Sequence, residues 1–154
     1  MEKKKVNGFL TAHVYVLIMK ILVVHRQKEV IEQVKSVLVD SNAVIFSTDS
    51  GLDGLLTSRI EKFDLIICST DLPVITGFEL VRTLRNNSVN KNTPVIFLSE
   101  EVDAKIEHLG NALGVAAMLA NRDMNGSLAM IVNDRVHAEP DKAWGELLSK
   151  TPLN

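Results

Sequence analysis

Apolar positions along this chain follow two alternating rhythms. Short, largely apolar runs occur at 21–24, 43–46, 64–68, 94–98 and 116–120, the pattern of strands. Between and after them apolar residues recur at helical spacing. The sets are Val30, Ile31, Val34, Val37 and Leu38; Leu52, Leu55, Leu56 and Ile60; Phe78, Val81 and Leu84; Val102, Ile106, Leu109 and Leu113; and Leu128, Ile131, Val132 and Val136. Five strands, each followed by one helix, predict a (βα)5 chain with parallel pairing and right-handed crossovers. The strands are continuous apolar runs rather than alternating ones, as expected when helices cover both faces of the sheet. Pro94 opens its strand, where a missing N–H is tolerated, and Pro73 and Gly77 punctuate the loop after the third strand.

The ends read differently. Lys3, Lys4 and Lys5 form a solvated run, and a mostly apolar stretch then leads into Met19. His13 and Lys20 interrupt that stretch and no small-residue cleavage site follows, so neither a secretory signal nor a membrane span is expected. Met19 looks like a natural beginning. Residues 1–18 are then an extension, whether an added strand, a cloning artefact or the product of an upstream start, and 19–137 are the domain. The tail, 138–154, carries Trp144, Leu147 and Leu148 on one side of a helical turn or two. It is expected to pack on the domain, the other reading being a partner-binding turn.

Composition narrows the function. A chain of 154 residues is one ordinary domain. Its formal net charge of −2 offers no global basic field, and aromatics at 5% offer no base-stacking surface, so nucleic acid is not expected as a partner. One cysteine excludes a disulfide framework, and Cys68, inside an apolar strand, reads as inert core. The four histidines make no HxxxH or HExxH pair, and His108 beside Glu107 reads as exposed.

In an open α/β sheet a ligand sits beyond the carboxyl ends of the strands. Those ends bring His25 and Arg26, Ser69 with Thr70 and Asp71, Ser99 and Glu100, and Asn121 and Arg122. Here the chain resembles a known family. Residues 64–73, with Thr76, Gly77, Phe78, Glu79 and Leu80 after them, match the third strand and following loop of the receiver domain of response regulators. Residues 94–99 match its fourth strand, and Gly114 with 116–121 its fifth. The resemblance covers roughly residues 20–136. It implies a flavodoxin-like, CheY-like doubly wound sheet of strand order 2-1-3-4-5, a single domain, a role in two-component phosphorelay signalling, and a cytoplasmic location.

The resemblance also implies which positions should do chemistry, and most are altered. Ser69 stands where the family accepts a phosphoryl group on aspartate. His25 and Arg26 stand where it holds Mg²⁺ with an acidic pair. Asn121 replaces the phosphoryl-contacting lysine, Arg122 the proline after it, and Met118 the aromatic switch residue, while Ser99 keeps its hydroxyl. Formal charge at the equivalent positions moves from −2 to +1. Mg²⁺ is a hard cation that needs carboxylates, and Arg26 is permanently charged and would repel it. A serine hydroxyl without an activating base is a weak nucleophile and makes no acyl phosphate. No metal or cofactor is therefore expected.

The leading expectation is a non-enzymatic receiver-like module acting without phosphorylation. It would meet a protein partner or a second copy through the face of the fourth helix, fifth strand and fifth helix, with Val102, Ile106, Met118 and Leu128. One alternative keeps phosphorylation on Asp71. Another makes His25, Arg26, Arg122 and Ser99 an anion or nucleotide site, with helix N-termini assisting. A third sees Ser69, His25 and Asp71 as hydrolase residue types, without the G-x-S-x-G elbow that would support it.

Overall fold

The computed structural model describes residues 2–5 and 15–134. Six strands are present, β1 (Glu2–Lys5), β2 (Tyr15–Val24), β3 (Ala43–Thr48), β4 (Leu65–Ser69), β5 (Val95–Ser99) and β6 (Ala117–Ala120). The helices are α1 (Lys28–Val37), α2 (Gly51–Ile60), α3 (Gly77–Asn87) and α4 (Ala104–Ala112), followed by a 3-10 turn, Asn121–Asp123, that leads into α5 over 124–134. The parallel strands lie in the order β3-β2-β4-β5-β6, which is 2-1-3-4-5 when only those five are numbered. The CheY-like flavodoxin fold is thus the observed one.

The first parallel strand is longer than its apolar core suggested. It starts at Tyr15, and its first half pairs antiparallel with β1, from Glu2 opposite Ile18 to Lys5 opposite Tyr15. The backbone of 15–18 finds in β1 the hydrogen bonds that β3 and β4 are too short to supply. The expected helical turns near Trp144, together with Val136, His13 and His137, lie outside the described residues.

β4 and β5 are buried along their whole length, as central strands covered on both faces should be. On one face α1 (Val30, Ile31, Val34) and α5 (Met124, Leu128, Val132) pack against Ile21, Val23, Ile67 and Leu98. On the other α3 (Leu80, Val81, Leu84) and Leu55 of α2 cover Val24, Ile66, Cys68 and Phe97. Leu128 is therefore core and not part of an interaction face. It lies one turn from Met124 and from Val132, and the three together form the inward stripe of α5.

The helix expected over 52–60 is present as α2, turned in a way that spacing alone leaves open. Leu52, Leu56 and Ile60 mark the helix in the sequence, yet all three face solvent, and the buried residues are Gly51, Gly54 and Ser58. Gly54 allows the backbone to approach the sheet closely, since a Cβ there would sit 2.8 Å from a Val24 methyl, and Gly51 packs against Ile75 and Leu72 of the loop after β4. The loops at the far end of the sheet are tied by Arg85. Its guanidinium donates to the carbonyls of Lys91, Thr93, Leu113 and Gly114, and burial pulls its pKa down.

Candidate functional site

The loops at the carboxyl ends of β2, β4, β5 and β6 enclose a small pocket of about 90 Å³ lined by His25, Arg26, Gln27, Ser69, Asp71, Glu100 and Asn121. Most of the residues expected to converge here do so. Ser99 closes β5 nearly buried and is not among the lining residues. Arg122 faces a different groove, with Val102, Glu107 and Met118.

His25 continues β2, its N–H bonded to the Thr48 carbonyl, and its side chain is almost wholly buried. Nδ1 accepts the Gln27 N–H at 3.0 Å, so the imidazole caps the turn into α1, where Gln27 provides no side-chain cap of its own. That bond needs an unprotonated Nδ1, which places the proton of the neutral ring on Nε2. Burial pushes the His25 pKa below its ordinary 6.5, and Arg26 lowers it further, while Asp71 and the Asn121 amide oppose the shift. The Asn121 Oδ1 is buried without a partner of full hydrogen-bond geometry.

Ser69 ends β4 with its hydroxyl already committed. Oγ donates to the Asp71 carbonyl at 3.1 Å and accepts the Asp71 N–H at 3.2 Å, an ST-turn that folds the loop on itself. The hydroxyl proton thus points at a backbone carbonyl and not at an imidazole. With His25 Nδ1 also occupied, Ser69, His25 and Asp71 do not form a hydrogen-bonded triad.

Behind the turn, Gly77 is packed so closely that a Cβ would fall 2.1 Å from the Ser69 carbonyl oxygen. The Gly77 N–H bonds the Thr70 carbonyl, and Thr76 caps α3 by accepting the Glu79 N–H. Val74 in the same loop has φ of 72°, a left-handed conformation that β-branched residues rarely adopt.

Arg26 pairs with Asp71 at 3.0 Å, both side chains being largely exposed. With Glu100 also lining the pocket, the formal charge there is −1 and not +1, because one cation faces two carboxylates. An anion therefore meets no positive field, and the expected anion set of His25, Arg26, Arg122 and Ser99 is not assembled. A divalent ion fits no better. Arg26 occupies the rim, and the two carboxylates near it belong to exposed loop residues, one of them already paired. Cys68 lies beneath, fully buried, with its thiol pushed up to about 12, which makes it unreactive.

These features define a receiver-type α/β domain, and comparison with known proteins agrees. The model of the response regulator receiver domain matches residues 21–120, so the chain belongs to that family, the receivers of two-component signalling. The chemotaxis response regulator CheY4 of Vibrio cholerae superposes with a TM-score of 0.68 at 28% identity, covering 78% of this chain and 99% of that one. The cell cycle transcriptional regulator CtrA of Caulobacter vibrioides is 29% identical over 91 residues, 58% of this chain and 38% of CtrA. The probable transcriptional regulator ycf29 of Pyropia yezoensis is 26% identical over 117 residues, 76% of this chain and 53% of ycf29. The chain thus spans about half or less of these two regulators. Among the described residues no helix is long and apolar enough to cross a membrane.

The sequence did not reveal the self-contained Ser69–Asp71 turn or the Arg26–Asp71 pair. Both depend on side-chain directions in a loop, which spacing along the chain does not encode.

Proposed function

We propose that this domain signals by phosphorylation-independent, non-enzymatic protein contact. One observation carries the reading. At the end of β4, where the family places its acceptor carboxylate, stands a serine whose hydroxyl is held in both directions by the Asp71 backbone. The Asp71 carbonyl, which in the family faces the metal, here receives a hydroxyl proton instead. Lacking the acidic pair and the lysine, the site has neither the donors to hold Mg²⁺ nor the charge to draw in a phosphoryl group.

The partner surface is the groove between α4, β6 and α5. Val102 and Met118 line it half-buried, with Glu107 and Arg122 at its polar rim, and Ile106 is half-buried on α4. A second copy of this chain or a different protein would meet the same groove.

The test is treatment of the whole chain with acetyl phosphate, and separately with beryllium fluoride, in the presence of Mg²⁺. Intact mass should show no phosphoryl adduct, and amide spectra no fluoroberyllate-dependent shifts. The triple variant His25→Asp, Arg26→Asp, Ser69→Asp is the positive control. An adduct on the unaltered chain would overturn the proposal, and its loss in Asp71→Asn would assign the phosphoryl group to Asp71.

A further inference from the structure

The exposed apolar surface of the described residues is unevenly distributed. Leu52, Leu56 and Ile60 form a stripe along the outer side of α2, spaced by four residues and exposed by 47%, 53% and 82%. Val44 and Phe46 on the edge strand β3 and Val39 in the loop before it are exposed beside them, so six of the nine large exposed apolar side chains belong to α2 and the β3 edge. Single exposed apolar residues are ordinary, but a continuous stripe on one helix, next to an edge strand, marks a surface that something covers.

The position of the chain's own continuation indicates what covers it. The Ser41 hydroxyl, just before β3, bonds Asn133 near the end of α5 at 3.3 Å. The chain beyond residue 134 therefore departs beside the start of the edge strand, next to Val39 and Val44. Only that one strand separates this point from the α2 side of the sheet. Residues 135–154 contain Trp144, Leu147 and Leu148, which share one side of a helical turn by their spacing. From residue 134 to Trp144 is ten residues, a reach of up to roughly 33 Å, against about 15 Å for the whole length of α2.

We propose that the segment 138–154 docks in cis around the β3 edge, seating Trp144, Leu147 and Leu148 on the Leu52, Leu56 and Ile60 stripe of α2. This site is separate from the pocket at the carboxyl ends of the strands and from the α4–β6–α5 groove, so it stands or falls independently of the proposed function.

Trp144 is the chain's single tryptophan, so its fluorescence reports the contact directly. In the whole chain its emission should be blue-shifted and several-fold less quenched by acrylamide than a free tryptophan amide. Leu56→Glu and Ile60→Asp change exposed positions. Each should red-shift the emission and raise quenching to the free value while far-UV dichroism stays unchanged. Val89→Glu, exposed but off the stripe, should do neither, and Leu56→Ser is the gentler variant if a charge at 56 disturbs folding. Three results would overturn the proposal. The first is a solvent-exposed Trp144 in the unaltered chain. The second is a protected Trp144 indifferent to every stripe variant. The third is protection that disappears on dilution, which would mean a second copy covers the stripe.

Discussion

Acidification across the histidine range should destabilise this domain through His25. In the folded protein its pKa lies below the ordinary 6.5 because the ring is buried beside Arg26 and its Nδ1 is used as an acceptor. The unfolded chain therefore binds more protons than the native one as pH falls through 6.5, and stability rises with pH over that window. The loss between pH 7.5 and 5.5 is at most about 1.4 kcal/mol, one full decade of the proton equilibrium, the limit set by a native ring that never protonates. At a urea slope of about 1–3 kcal/mol/M that limit moves the unfolding midpoint down by no more than roughly half to one and a half molar. His25→Gln keeps an acceptor for the Gln27 N–H but cannot titrate. Its difference in midpoint between the two pH values should be smaller by up to that amount, while its stability at pH 7.5 should change less. Urea melts of both proteins at both pH values decide the matter. An equal pH dependence in the two proteins would refute the argument, for the destabilisation would then come from other groups.

Two predictions concern the loop that carries Ser69. Gly77→Ala should cost at least about 2 kcal/mol. The added methyl meets the Ser69 carbonyl rather than a movable side chain, and relief means losing both the Gly77–Thr70 hydrogen bond and the Thr76 cap, each worth about 1 kcal/mol. A thermal melt within half a kcal/mol of the unaltered chain would contradict it. Val74→Asn should stabilise by about 1 kcal/mol, because asparagine tolerates the left-handed backbone and the replaced side chain is 90% exposed, so little packing is lost. A lower denaturation midpoint would count against the strain.

The alternation of apolar runs and helical spacings was enough to place five strands and five helices. It worked because central strands such as β4 and β5 are buried on both faces and so carry unbroken apolar runs. It left open which way each helix is turned. Leu52, Leu56 and Ile60 satisfy a helical spacing whichever way the helix is turned, and Gly54, which lets α2 approach the sheet on its other side, leaves little signal in a hydrophobic pattern. Leu128, expected on the interaction face, is core. A receiver's interaction face and its core share α5, and only the packing of Met124, Leu128 and Val132 against the sheet separates them.

The pattern of residues alone was sufficient for the topology and the family. Those follow from residue identity at positions that strand and loop punctuation hold in register. What the residues at the strand ends do was set by three-dimensional packing. Arg26 is neutralised by Asp71, Arg122 turns into another groove, Ser69 closes on its own loop, and His25 is buried as a neutral cap. Those outcomes depend on side-chain direction and desolvation, which arise when distant segments meet and which no local pattern of residues specifies.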